Sequence, residues 1–287
     1  MIAFMGLLLL FAADFAGAQP PKFQLSGKEV SQGDVVVLKR VDRGTETFKV
    51  RFLGREYGSL RFSNRQTVLL GIHYQLRPGT HTVLVQYDAG GSIRFVIRVR
   101  ELYPKLKYEP PKRNEQDQKR INDEQRKKQE TLKDMNLAVS SMTYFSWAVD
   151  PVKVNAPFGD KRCRDRRGRK RFNCRYHLGT DYRSAFDFFH QNPEPARAIN
   201  SGRVVRIAEN LIDGKLVIID HGNGISSEYL HLSRFLVKEG DMVVRGQKIA
   251  ITGKTGSTDA IHLHLTIKMD HGKTIVNPEV FLESLSK

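Results

Sequence analysis

Two histidines separated by a single residue stand in Ile261-His262-Leu263-His264-Leu265, and a histidine and an aspartate four apart stand in Tyr176-His177-Leu178-Gly179-Thr180-Asp181. On an extended strand, positions i and i+2 share a face. His262 and His264 therefore project side by side, while Ile261, Leu263 and Leu265 point to the opposite side, toward a core. His177 and Asp181 have an even separation and share a face of extended chain as well. Two imidazoles and one carboxylate make a three-ligand set for zinc, with the fourth position left for water. Zinc lowers the pKa of that water from about 15.7 to about 7 and so supplies a hydroxide nucleophile at neutral pH. Such a site uses one member of the His-x-His pair and leaves the other beside the metal as an acid or base. His231, in Glu228-Tyr229-Leu230-His231-Leu232, is a further candidate on a separate strand. His73, His81, His190, His221 and His271 read as ordinary structural or solvated histidines.

The elements that must hold these residues are strands. Phe48, Val50 and Phe52 alternate with Lys49 and Arg51, and Ile93, Phe95, Ile97 and Val99 alternate with Arg94, Val96 and Arg98. About seven short strands with turn signals at Gly54, Pro78-Gly79 and Ala89-Gly90-Gly91 predict a β-sandwich over residues 22–103. Residues 104–140 differ: after Pro104 and Pro110-Pro111, the stretch from Arg113 to Met135 is mostly Lys, Arg, Glu, Asp and Gln. It reads as a solvated helical linker with i,i+4 charge pairs. From 141 to 287 the β pattern returns. Asp213-Gly214 marks a hairpin, so this part is expected to be mainly antiparallel β.

The 287 residues include 47 Lys+Arg against 31 Asp+Glu, a net charge of +16. That excess calls for an anionic partner such as a cell-wall or outer-membrane polymer. Residues 1–18 are mostly apolar, interrupted by Asp14, and end in Ala16-Gly17-Ala18, the pattern of a cleaved secretory signal. The expected location is the periplasm or the exterior, with no stable membrane insertion once the signal is removed. Cys163 and Cys174, with ten residues between them in a basic loop, are expected to pair in that oxidising setting.

Residues 154–282 carry a co-linear series of short motifs. It comprises Pro157-Phe158-Gly159-Asp160-Lys161-Arg162, His177 to Asp181, and Ala198-Ile199-Asn200-Ser201-Gly202-Arg203-Val204. It continues with Asp220-His221-Gly222-Asn223-Gly224, Tyr229-Leu230-His231-Leu232, Gly246-Gln247-Lys248-Ile249, Gly253-Lys254-Thr255-Gly256 and His262-Leu263-His264-Leu265. This order resembles the lysostaphin/LytM-type zinc endopeptidases, which cleave peptidoglycan peptides. The resemblance implies zinc ligands at His177, Asp181 and His264, with His231 and His262 as the catalytic histidines. The region around Ser31-Gln32-Gly33-Asp34-Val35-Val36 resembles the Ig-like domain that precedes some exported members. The whole is therefore expected to be mainly β: an Ig-like sandwich, a charged helical linker and an antiparallel-β peptidase domain. The implied substrate is peptidoglycan, cut at a D-alanine–diaminopimelate link, with glycine bridges as the alternative bond. Two stretches depart from the family pattern. Phe186 to Pro193 replaces a short Gly-Thr-Pro-Val segment, and Ala260-Ile261 replaces Gly-Pro before His-x-His.

A non-catalytic relative that binds the wall or activates another hydrolase would lose ligand positions, whereas all five polar positions are present here. A lipoyl- or biotinyl-type carrier is excluded because no carrier-lysine motif accompanies Val237 to Gln247. Nucleic-acid binding is disfavoured by the expected export and by the lack of stacking aromatics between Lys161 and Arg175. No GxGxxG or P-loop is present.

Overall fold

The structure, a computed structural model, describes residues 21–286 apart from 46, 63, 89, 107, 109, 110, 138, 140, 151, 167, 168 and 185–191. The signal expected over 1–18 and the segment with His190 lie outside the described residues. Among those described, no helix is long and apolar enough to cross a membrane.

The chain is mainly β, as the alternating patterns predict. Nine strands are described between Phe23 and Arg100, where about seven were expected. Together with Ser141–Met142 they build two five-stranded sheets. One runs Phe23–Leu25, Val35–Arg40, Arg65–Gly71, Leu60–Phe62, Ser141–Met142, and the other runs Glu29–Ser31, Ser92–Arg100, Gly79–Tyr87, Phe48–Phe52, Arg55–Gly58. Val36, Leu38, Val50, Phe52, Val85 and Ile97 are among the side chains that fill the space between them.

The first sheet is covered on its other face too. Val35, Val37, Leu69 and Phe62 point into a second core that continues through the C-terminal half. This explains why Val35-Val36-Val37-Leu38 is an unbroken apolar run rather than an alternation. Gly71 marks a close approach between the halves: a Cβ there would lie 2.8 Å from Thr274 Cγ2 and 2.9 Å from Met269 Sδ. Arg55 adds an ion pair to Asp270 at 2.8 Å.

In the C-terminal half an antiparallel sheet runs Val152–Ala156, Thr180–Ser184, Leu263–Met269, Ile225–Leu232, Gly214–Gly222, Gly202–Asn210, Met242–Val243, and Thr274–Val276 also pairs with Leu263–Met269. Leu263, Leu265, Ile267, Val217, Ile219 and Tyr229 face the second core. A three-stranded sheet of Pro195–Arg197, Lys248–Ile251 and Arg234–Phe235 packs there through Ala196, Ile249 and Ala250. The helix Pro278–Leu285, N-capped by Asn277, adds Phe281 and Leu282. Alternation then forces His264, Thr266, Lys268, Glu228 and Leu230 onto the opposite face, which forms the floor of a groove.

The charged linker contains the helix Glu115–Lys133, whose first turn is capped by Asn114 accepting from the Asp117 amide at 2.7 Å. The expected i,i+4 pairs are present, Arg120 with Glu124 at 2.8 Å and Arg126 with Glu130 at 3.1 Å. The helix is not solvated all round, however. Leu132 is buried with Leu216, Ile218 and Leu230, and Lys128 is buried beside it. One side of the linker helix therefore lies on the groove face of the main sheet. Beyond it, Lys161–Arg166 and Arg169–Tyr176 form a hairpin in which Cys163 and Cys174 stand opposite each other and are disulfide-bonded.

Candidate metal centre

Strand register brings the separated motifs together. Asp181 is the cross-strand partner of His264, flanked by the pairs Thr180–Leu265 and Tyr182–Leu263. His177 lies just before that strand, with its amide bonded to the Asp160 carbonyl. Gly179 allows the crossing: a Cβ there would come within 2.4 Å of His264 Nε2 and 2.6 Å of the Leu265 carbonyl.

Three donor atoms converge. His177 Nε2 is 3.0 Å from His264 Nδ1, His264 Nδ1 is 2.8 Å from Asp181 Oδ1, and His177 Nε2 is 3.1 Å from Asp181 Oδ1. Ligands spread tetrahedrally around zinc at 2.0–2.1 Å stand about 3.3 Å apart, so the triangle is close to the size a zinc ion needs. The far side of each ring is also engaged. His177 Nδ1 donates to the Pro157 carbonyl at 3.0 Å, and His264 Nε2 is 3.1 Å from Thr266 Oγ1, whose own hydroxyl donates to the Leu178 carbonyl. These contacts hold the ring protons outward and leave two lone pairs and a carboxylate oxygen facing one another. Three mutually repelling acceptors fit a cation between them. The chemistry of the donor set and its burial agree with zinc.

The other carboxylate oxygen, Asp181 Oδ2, accepts from Arg162 at 2.7 Å. Burial works against a charge on Asp181, but the adjoining His177 and His264 rings outweigh it and hold the carboxyl far below its ordinary value. Burial pushes His264 down, with the Asp181 contact opposing.

His231 and His262 stand around the triangle without joining it. The His231 ring centroid is 5.0 Å from that of His262 and 5.9 Å from that of His264. His231 has φ 64, a left-handed conformation uncommon for a residue with a side chain. The register slips at this point. Tyr229 opposes Val217 and Leu232 opposes Lys215, so Leu230 and His231 share the place opposite Leu216. This β-bulge turns His231 out of the strand alternation and toward the site. Its Nδ1 lies 2.9 Å from the Thr255 carbonyl, which leaves Nε2 free to react. Burial first, then His264 and His262, push its pKa down to about 4. His262 Nδ1 is similarly tied to the Ala260 carbonyl at 2.8 Å, with Nε2 3.5 Å from Asp181 Oδ1.

All five residues singled out from the sequence thus meet in one place. Sequence reasoning missed several others. Arg162 entered only as part of a motif, and nothing in local pattern paired it with Asp181. Glu228 and Lys268 were legible by parity, since each shares a face with Leu230 or His264 and breaks an apolar strand. By local pattern Asp213 is a turn residue, and Lys128 is one charge among many in the linker.

A cavity of about 530 Å³ opens on the centre, lined by His177, His231 and His264 together with Lys128, Asp213, Glu228 and Lys268. Pro104, Leu106 and Tyr108 of the linker line it as well.

The family profile described as Peptidase family M23 matches residues 179–278. Peptidoglycan DD-endopeptidase ShyB of Vibrio cholerae serotype O1 is 34% identical over 91 residues, 32% of this chain and 20% of that protein. Lysostaphin of Staphylococcus staphylolyticus is 35% identical over 102 residues, 34% of this chain and 21% of that protein. The matched stretch is thus about a fifth of the length of these curated relatives. A crystal structure assigned to peptidase M23 from Pseudomonas aeruginosa aligns with a TM-score of 0.58 at 23% identity, over 88% of this chain and 94% of that one, and so shares the fold. Residues 179–278 of this chain are therefore a peptidase family M23 domain.

Proposed function

We propose that this chain is an exported zinc endopeptidase that hydrolyses peptide cross-bridges of bacterial peptidoglycan, at D-alanine–diaminopimelate links. The observation that carries this reading is the convergence of His177, Asp181 and His264 on one point with two further histidines beside it. The similarity to a peptidoglycan DD-endopeptidase supports the choice of substrate and bond.

His177, Asp181 and His264 would hold the zinc ion. When bound, that ion supplies a Lewis acid and an acidified water. Arg162 fixes Asp181 by binding the oxygen turned away from the triangle. The Pro157 carbonyl and Thr266 fix the two ligand rings. His231 and His262 each have Nδ1 tied to a backbone carbonyl, so each offers Nε2 to the reacting groups. One takes the proton from the attacking water and passes it to the amine nitrogen that leaves as the C–N bond breaks. The other, with Nδ1 already donating to its carbonyl, carries a second proton on Nε2 and as the imidazolium donates a hydrogen bond to the oxygen of the tetrahedral intermediate.

The test is digestion of purified peptidoglycan by the full chain, with products identified by mass spectrometry. Cross-linked dimers should fall and monomers rise, and a chelator or His231→Ala should stop the change. Intact cross-links after digestion with zinc-loaded protein would sink the proposal.

A further inference from the structure

Lys128 belongs to the linker helix, yet its ammonium lies in the groove of the main sheet. Its Nζ is 2.8 Å from Glu228 Oε2 and 3.1 Å from Asp213 Oδ2. The other Glu228 oxygen is 2.7 Å from Lys268 Nζ. The side chains of Lys128 and Glu228 are 7% and 1% exposed, so these charges are held away from water.

The C-terminal domain supplies three of the four charges. Glu228 stands opposite Thr266 in the strand register, Lys268 follows on the same face, and Asp213 sits in the turn before the strand Gly214–Gly222. Lys128 alone arrives from the linker. With it, the cluster is neutral. Without it, the floor keeps two carboxylates and one ammonium, a net single negative charge in a largely dry place. A buried charge left without its partner is strongly unfavourable. The floor is therefore built to take one more cation.

That cation lies where a ligand would run. The four charged residues and the histidines of the metal centre line one continuous cavity. Thr266, opposite Glu228, is two residues along the strand from His264, about 7 Å. A peptide held at the metal centre reaches Glu228 within about two residues of its own length.

We propose that Glu228 and Asp213 form a subsite for a primary ammonium group of the peptide substrate, and that Lys128 occupies it as a tethered competitor. The inference rests on the peptidase reading above and names the substrate feature that the same groove selects: a diamino-acid side chain with a free amine close to the scissile bond. An ammonium offers three N–H donors from a compact charge, which matches two carboxylates approaching from different elements. Acylating the amine removes the charge and the match. Binding the substrate amine and lifting the linker helix from the floor are then one competition, because both cations claim the same carboxylates.

The first experiment reads the subsite without turnover. Lys128 is replaced by Ala in the full chain, and melting is followed with n-butylammonium chloride, sodium chloride or n-butanol. Lys128→Ala should melt below the parent, butylammonium should restore much of the loss, and the other two should not. Adding Glu228→Gln should abolish the rescue. No rescue by butylammonium, or equal rescue by butanol, overturns the subsite. The second experiment compares two cross-bridge peptides that differ only in acetylation of the side-chain amine. Lys128→Ala should raise kcat/KM for the free-amine peptide by about tenfold or more, the factor expected if at least about nine molecules in ten are plugged. An equal gain for both peptides, or no gain, overturns the competitor role. Rescue by butylammonium with neither peptide cut would instead leave the subsite standing and sink the peptidase reading. Should the Ala variant fail to fold, Lys128→Gln keeps most of the stem, loses the charge and is held to the same outcomes.

Discussion

Lys128 and Glu228 meet at 2.8 Å beneath the linker helix, each with less than a tenth of its side chain exposed. Burial opposes both charges. For Glu228 the two lysines outweigh it and hold the carboxyl down at about 2, and for Lys128 the two carboxylates outweigh it and hold the ammonium above its ordinary value. Removing one partner strands the other in a dry site. Lys128→Ala should therefore lower the unfolding free energy by about 3–5 kcal/mol. Lys127→Ala, on the exposed side of the same helix, should change it by less than about 0.5 kcal/mol. Urea unfolding of the two variants makes the comparison, and equal losses would mean that water reaches the pair.

Zinc content should separate the two kinds of histidine. Asp181→Ala and His264→Ala should yield protein without stoichiometric zinc. His231→Ala and His262→Ala should retain it and lose turnover by about 10²–10⁴-fold. Elemental analysis alongside the peptidoglycan assay decides, and loss of zinc from His262→Ala would reverse the roles within the His-x-His pair.

Arg162 contacts Asp181 through Oδ2, while Oδ1 is the oxygen close to His177 and His264. Such outer contacts typically contribute about 10–100-fold to metal affinity. Arg162→Ala should weaken zinc binding by that factor, as read by competition with a chromogenic chelator, while the melting temperature of the zinc-loaded protein changes little. Unaltered affinity would reduce Arg162 to a surface pair.

His221 introduces a pH dependence of stability remote from the metal. It is fully buried, its Nδ1 is 2.9 Å from the Ser201 carbonyl, and Ser227 Oγ lies 2.7 Å from its Nε2. Burial pushes its pKa down to about 4 from 6.5, with the Ser201 contact opposing. The fold thus prefers neutral His221. Above about pH 6.5 its contribution is complete. Between about 6.5 and 4 the unfolded chain takes up a proton that the fold refuses, and stability falls. At about 1.4 kcal/mol per unit the loss approaches 3 kcal/mol. His221→Gln should flatten this part of the stability–pH curve in denaturant titrations, and an unchanged slope would assign the dependence to other groups.

The basic hairpin should act through long-range attraction. Its nine Lys and Arg between Lys161 and Arg175 precede His177, and its base reaches the site through Arg162 and Arg175. The side chains of residues 164–173 lie outside the described part. The Debye length falls from about 10 Å at 0.1 M salt to about 3 Å at 1 M. Digestion of whole walls should therefore fall with salt more than cleavage of a short neutral peptide. Replacing Arg166, Arg167, Arg169 and Arg171 by Ser should reproduce that fall without removing zinc. Wall digestion indifferent to both would leave the hairpin a solvated face.

Much of the architecture was legible because β-structure writes a period of two into the chain. Alternation along Phe48–Phe52 and Ser92–Arg100 gave strands, and parity put His262 and His264 on one face before any fold was known. A helical linker was equally clear from Arg113 to Met135. What lay beyond local pattern was decided by packing between distant segments. The pairing of Asp181 with His264 is a register between strands 83 residues apart. The bulge that turns His231 into the site depends on a mismatch with Leu216. Val35-Val36-Val37-Leu38 divides its side chains between two cores, Val36 and Leu38 in the sandwich and Val35 and Val37 in the core of the C-terminal half, and that division depends on what covers the sheet's second face. The linker helix shows the limit most directly. Lys127 and Lys128 are chemically the same and adjacent, yet only the second meets Glu228 and Asp213, because the helix docks one particular face on the sheet. Residue type and parity are local and survive in any window of sequence. Register, bulges and the choice of which charge is buried depend on what covers each face, and that exists only once the chain has folded.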